Sequence, residues 1–190
     1  MWRGLLAGAL LSAAAPPVPL PVAPAARLHQ AGLDALHSGK PTALRDALAL
    51  FQQATRLDPG NAGYWGDYGG TCLRVADHER SYFMAVRGRD ALEKTVQLNP
   101  ADVDAREELM QFYGIAPWPL GDESRAQEEA AAIGRQDPFV GAREECRLGR
   151  IFENKHEPGL ARTAYAAALR FDPRNAAAAA ALKRLSAAKS

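Results

Sequence analysis

An acidic or amide residue followed by proline recurs at a nearly constant interval along most of this chain. The four pairs are Asp58-Pro59, Asn99-Pro100, Asp137-Pro138 and Asp172-Pro173. Successive prolines are 41, 38 and 35 residues apart. Proline cannot continue a helix and disfavours helical backbone in the residue before it, so each pair predicts a helix end. A period of this length indicates stacked supersecondary units.

A pair of residues with fixed spacing precedes each of these prolines. The second residue of the pair lies eight positions before the proline, and the first, a small residue, lies four positions before the second. The pairs are Ala47 and Phe51, Gly88 and Leu92, Ala126 and Ala130, and Ala161 and Tyr165. Residues four apart share one face of a helix, and a small residue there admits a neighbouring helix closely. The 47% hydrophobic composition, rich in alanine, also favours helices.

This pattern resembles the tetratricopeptide repeat, a helix–turn–helix unit of about 34 residues with the motif W-x2-L-G-x2-Y…A-x3-F…P. The fourth unit contains Leu148-Gly149 and Phe152, followed by Ala161 and Tyr165. The second contains Trp65, Tyr68, Gly69 and Cys72. The resemblance implies an all-α, right-handed solenoid of about four divergent repeats with a C-terminal capping helix.

The implied repeats lie near residues 26–60, 61–100, 101–138 and 139–173, and the cap covers 174–188. Within the cap, Leu182 and Leu185 are expected to face inward. Three insertions lengthen the repeats: KPTALR (40–45), VADHERSYFMAV (75–86) and GIAPWPLGD (114–122).

The stretch GNAGYWGDYGG (60–70) is rich in glycine but lacks the lysine and the spacing of a phosphate-binding loop. The resemblance assigns Gly69 to the small position where the two helices of a repeat meet. Gly63, Gly66 and Gly70 are then expected to leave the groove-facing side of the same helix without side chains.

Residues 1–25 have the order of a secretory signal peptide: Arg3, an apolar run over 4–15, small residues, and the A-x-A sequence at 23–25. A membrane anchor is the alternative, but the run is shorter than the roughly 20 residues that span a bilayer. We therefore expect residues 26–190 to be exported, to the periplasm or beyond, with no membrane insertion after the signal is removed.

Charge and motifs exclude several functions. The 23 basic and 22 acidic side chains balance, which disfavours nucleic acid as a partner. Zinc-binding spacings and a nucleophile elbow are absent from the sequence, so we expect no cofactor, no metal and no enzymatic activity. The adjacent glutamate pairs at 107–108, 128–129 and 144–145 are expected to be solvated.

The two cysteines are predicted to be free thiols, since they lie two repeats apart and face different ways. Cys72 occupies a core position, and Cys146 lies on the groove side. Arg143 and Arg150 could lower the pKa of Cys146, which leaves a redox-active or enzymatic protein as the alternative function.

The resemblance implies a protein- or peptide-binding scaffold that acts through the concave groove of the solenoid. The candidate groove residues are Arg74, Asp104, Glu107, Gln111, Arg143, Arg150 and Asn154. An acidic patch would lie beside a basic one, unless these are simply solvated charges. Trp118, in the third insertion, is expected to pack back onto the repeats, with contact to a partner as the alternative.

Overall fold

The computed structural model describes residues 23–187, which form nine α-helices. They are α1 (Pro24–His37), α2 (Ala43–Leu57), α3 (Ala62–Glu79), α4 (Tyr82–Leu98), α5 (Val103–Ile115), α6 (Glu123–Gln136), α7 (Pro138–Asn154), α8 (Pro158–Phe171) and α9 (Ala176–Ala187). None of these helices combines the length and the hydropathy needed to cross a membrane. Residues 1–22, which hold most of the predicted signal peptide, lie outside the described residues.

The helices pack as four consecutive pairs, α1–α2, α3–α4, α5–α6 and α7–α8. The second helix of each pair also packs against the first helix of the next pair, and α9 packs on α8. Of the first helices, α5 contacts both α3 and α7, while α6 and α8 touch on the opposite side. This arrangement confirms the predicted solenoid of TPR-like repeats with a capping helix.

The motif glycines mark the closest approach of the two helices within a repeat. A Cβ atom on Gly32 would lie 2.5 Å from the Phe51 ring, and one on Gly149 would lie 2.7 Å from the Tyr165 ring. The third repeat reverses these sizes, with the buried Met110 at the glycine position and the buried Ala130 at the large position. One small residue per helix pair therefore permits the tight packing that the motif predicts.

Capping side chains explain why the helices begin where they do. Asn61, Ser81, Asp102 and Asp122 each accept a hydrogen bond from a backbone N–H in the first turn of the helix that follows. Asp137 ends α6 and caps α7 through the N–H groups of Phe139 and Val140. These caps satisfy backbone donors that have no partner within the helix.

The second insertion does not form the long loop that its length suggests. Instead α3 continues to Glu79, Arg80 adopts a left-handed conformation with φ 55°, and Ser81 caps α4. The extra residues therefore lengthen two helices. They also carry the exposed apolar side chains of Tyr82 and Phe83 at the start of α4.

Candidate partner-binding groove

The first helices of the repeats line a groove whose central part lies between α3 and α5. A cleft of about 450 Å³ opens there, and Gly63 and Gly66 form its α3 side without side chains. Leu92, Ala105 and Gln111 also line it. The other lining residues are five carboxylates, and we call this the acidic cleft: Asp67, Asp102, Asp104, Glu107 and Glu108. Gly63 and Gly66, which were predicted to lie on the groove side of α3, therefore leave room for this cleft.

The five carboxylates of the acidic cleft differ in how they are satisfied. Asp67 lies 2.5 Å from Nε2 of His29 on α1, and Asp102 accepts the N–H of Ala105 as the cap of α5. Glu107 forms ion pairs with Arg143 and Arg147 of α7. Among the described residues, neither Asp104 nor Glu108 has a hydrogen-bonded or ion-paired side chain.

Glu108 is the carboxylate that lies deepest between the two helices. Its oxygens would be 2.9 Å from a Cβ atom on Gly70, so a larger residue at that position would displace the end of the Glu108 side chain. Burial raises the pKa of Glu108, as do the nearby charges of Asp104 and Asp67, while Arg74 opposes the shift. The glycine-thinned face of α3 therefore accommodates an unpaired acid.

A second cleft, of about 560 Å³, continues the groove toward the C-terminal end of α5. Glu108 and Gln111 line both clefts, so the two are contiguous. Its walls are mostly apolar, and we call it the apolar cleft: Leu73, Ala76, Tyr82, Ala85, Phe112, Ile115, Ala116, Pro117 and Leu120. Tyr82 is 53% exposed and Ile115 is 62% exposed, so apolar surface faces water at its edge.

The basic end of the groove lies between α7 and α9. Arg143 and Arg150 line a smaller pocket of about 290 Å³ together with Phe139, Cys146 and Asn175. Arg143 donates to Glu107 at 2.7 Å and to Glu144 at 2.6 Å, whereas Arg150 forms no ion pair with the described residues. The predicted acidic and basic patches therefore touch through Glu107 and Arg143.

The three remaining predicted groove residues differ in their exposure to solvent. Arg74 is exposed on α3, and Asn154 is the exposed last residue of α7. Gln111 is half-buried between the two clefts and donates to the backbone oxygen of Glu107. Of the seven predicted residues, Asp104, Glu107 and Gln111 share one cleft, and Arg143 and Arg150 share another.

Comparison with known proteins gives matches only at the level of structure: no family model and no curated protein matches the chain. A MamA crystal structure superposes with a TM-score of 0.61 at 20% identity, covering 80% of this chain and 81% of that one. MamA 41-end from Desulfovibrio magneticus RS-1 superposes with a TM-score of 0.60 at 15% identity, covering 87% and 85%. A tetratricopeptide repeat protein from Parabacteroides merdae ATCC 43184 gives 0.63 at 14% identity, covering 86% of this chain and 60% of that one.

The chain has a TPR-like fold. At these identities the likeness extends to the fold alone and does not extend to a function.

Cys146 lacks the activated thiol that the redox alternative requires. It is buried, and its Sγ lies 3.7 Å from Oδ1 of Asn175. Burial raises the pKa of Cys146, although Arg150 and the contact with Asn175 act in the opposite direction. The lowered pKa that the redox alternative required is therefore not found. Cys72 is also buried, and both cysteines are free, as predicted.

Glu144 and Glu145 are buried, so their interpretation as solvated residues is wrong. Glu144 is held by Arg143 at 2.6 Å and by Arg147 at 3.2 Å. Glu145 is only 4% exposed and accepts no hydrogen bond from a described residue. A sequence signal existed, because these residues lie four positions before the core residues Leu148 and Gly149 and so share their helix face.

Trp118 does not pack onto the repeats: it is 90% exposed, and the packing interpretation is wrong. The buried Leu120 anchors the loop instead, and the N–H of Asp122 donates to the backbone oxygen of Tyr113. Pro117 and Leu120 line the apolar cleft, and Trp118 lies between them in the sequence. Contact of Trp118 with a partner, the alternative interpretation, stays a prediction.

Proposed function

We propose that this protein is a non-catalytic scaffold that binds a protein or peptide in the groove lined by α3, α5 and α7. The observation that carries the proposal is the contiguous pair of clefts between α3 and α5. Glycines open this part of the groove, and it presents two unpaired carboxylates beside exposed apolar side chains. Helical-repeat solenoids commonly use such extended surfaces to hold partners.

The alternative, a redox-active or enzymatic protein using Cys146, is not favoured. A reactive thiol needs a lowered pKa and access to its target, and Cys146 is buried with a raised pKa. A Cys146→Ser variant is therefore expected to keep partner binding. Loss of function in that variant with its fold intact would restore the alternative.

We further propose that the protein acts after export, in a periplasm or outside the cell. The support is the order of charge, apolar run and small residues within 1–25. Ala25 is buried near the start of α1, so cleavage before Ala26 would remove the first two residues of that helix. N-terminal sequencing from the native host is expected to return a start near Ala26. A start at Met1 or Trp2 would contradict export.

Partner binding is tested by affinity capture from the exported fraction, followed by mass spectrometry. The groove variants are Asp104→Lys and Arg150→Glu, because neither residue forms an ion pair that its reversal would break. Glu107 and Arg143 are unsuitable, since they pair with each other. Each groove reversal is expected to weaken capture in moderate salt.

The matched control is Glu128→Lys, which reverses an exposed charge on α6. It is expected to leave capture unchanged. If both groove variants capture the partner as well as wild type does, the groove is not the binding surface and the proposal is wrong.

A further inference from the structure

The acidic and apolar clefts follow one another along α5, and this order determines what can lie across them. Asp104 lies near the N-terminal end of α5 beside the acidic cleft, and Ile115 lies at its C-terminal end beside the apolar cleft. These residues are eleven positions apart, which corresponds to about 16 Å along a helix. An extended peptide covers this distance with about five residues.

The electrostatics of the acidic cleft favour a cation. Asp104 and Glu108 have no ion-paired cation among the described residues, and the charge of Asp104 helps to raise the pKa of Glu108, while Arg74 acts in the opposite direction. His29 is already placed against Asp67, and Arg143 and Arg147 already pair with Glu107. A lysine or arginine from a ligand would relieve the remaining repulsion, whereas an acidic ligand would add to it.

The apolar cleft favours an uncharged side chain next to that cation. Leu73, Phe112, Ile115 and Tyr82 line the cleft. Besides Glu108, its charged lining residues are Asp77 and Arg80, which carry opposite charges. Covering this surface removes apolar area from water, which favours a complex. Gln111, which lines both clefts, can hydrogen-bond the backbone of a segment crossing between them.

We propose, resting on the proposed function, that the α3–α5 groove binds a short extended peptide segment with an apolar side chain next to basic ones. The apolar side chain occupies the cleft around Phe112 and Ile115. The basic side chains contact Asp104 and Glu108. The recognised partner is therefore a protein with a solvent-accessible apolar–basic segment.

Fluorescence polarisation with labelled synthetic hexapeptides tests this chemistry. The probe is Leu-Phe-Gly-Ser-Lys-Lys, and it is compared with a peptide in which glutamates replace the lysines and one in which serines replace Leu-Phe. Each sequence is synthesised in both directions. The apolar–basic probe, in its better direction, is expected to bind at least about tenfold more tightly than either altered peptide.

Protein variants locate the two halves of the ligand. The double variant Asp104→Asn, Glu108→Gln is expected to abolish the preference for lysine over glutamate. The double variant Ile115→Ser, Tyr82→Ser changes exposed side chains and is expected to abolish the preference for the apolar half. Glu128→Gln and Leu57→Ser alter exposed residues elsewhere and are expected to bind like wild type, and circular dichroism melts verify the fold of every variant.

The inference is overturned if the apolar–basic probe binds no better than the altered peptides, or if the groove variants keep both preferences. Such a result leaves the proposed function standing when Asp104→Lys and Arg150→Glu still weaken capture of the native partner. If capture is also unaffected by those reversals, the groove function itself is wrong. The two failures are therefore distinguishable.

Discussion

Glu145 shows at the scale of one residue how burial controls stability. Burial raises its pKa to about 7, with Arg170 acting in the opposite direction. Since the folded pKa exceeds the unfolded one, the folded state binds the proton more tightly. The contribution of Glu145 to stability is therefore complete below the unfolded pKa of about 4.5 and is lost as the pH rises through about 7.

We expect Glu145→Gln to remove this pH dependence. The variant should be more stable than wild type at pH 8, by about 2 kcal/mol, and the difference should shrink toward pH 5. Urea denaturation at both pH values measures it, with Glu128→Gln as the exposed control. Equal differences at the two pH values would show that Glu145 is not a buried titrating group.

Two glycines of α3 should respond in opposite ways to alanine. A Cβ on Gly69 would lie 2.8 Å from Cγ of Leu92 and 3.1 Å from the backbone oxygen of Gly88. Because these contacts are too close, Gly69→Ala should lower the free energy of unfolding by about 1–3 kcal/mol. A Cβ on Gly66 would make an ordinary 3.6 Å contact with Thr95, so Gly66→Ala should stabilise by about 0.5–1 kcal/mol. Chemical denaturation measures both. A Gly69→Ala variant at least as stable as wild type would contradict the packing assigned to this glycine.

Sequence patterns could predict residues whose role depends on helix spacing, but not those whose role depends on neighbours from other helices. Gly69, with its close approach to the second helix of its repeat, follows from the motif. The hydrogen-bonded contact between His29 and Asp67 joins residues 38 positions apart, and no spacing rule connects them. Trp118 is exposed while Leu120, two residues later in the same loop, is buried, and composition does not reveal which of the two turns inward.

At the scale of an element, the capping helix α9 covers the apolar face of the last repeat. Ala178 and Ala181 are buried, and Leu182 and Leu185 pack against the same core, as expected from the sequence. Arg184 donates to Glu153 at 2.6 Å, which joins α9 to the end of α7. Terminal repeats of a solenoid need such cover because their outer face would otherwise be wet.

Removing residues 174–190 should therefore lower the melting temperature, with a loss of about 2–4 kcal/mol in the free energy of unfolding. Arg184→Ala serves as the control, since it removes one exposed contact and leaves the apolar cover in place. Its effect should be much smaller. A truncated protein that melts like wild type would show that α9 does not stabilise the last repeat.

Helix existence could be predicted more accurately than helix ends. The prolines and caps define α6, α7 and α8 closely because Asp137 and Pro158 have unambiguous local roles. The end of α3 could not be predicted, since the residues through Glu79 continue its helix and Arg80 terminates it with a left-handed conformation. Such a terminus usually requires glycine or asparagine, so arginine gives no signal for it.

At the scale of the whole molecule, the solenoid brings charges from separate repeats into one groove. Glu107 and Arg143 neutralise each other across α5 and α7, while Asp104, Glu108 and Arg150 remain without ion pairs among the described residues. Repeat periodicity predicted that Asp104, Glu107, Arg143 and Arg150 lie on the groove side of their helices, but it did not place Glu108 there. It could not predict which charges pair, because that depends on the distance between adjacent repeats.

The most direct test of groove binding is site-specific photo-crosslinking to the captured partner. A photoreactive benzoyl-phenylalanine at Gln111 lies between the acidic and apolar clefts, and the same group at Glu128 lies on the exposed side of α6. The partner is expected to crosslink through position 111 and not through position 128. Crosslinking through position 128 with none through position 111 would contradict it.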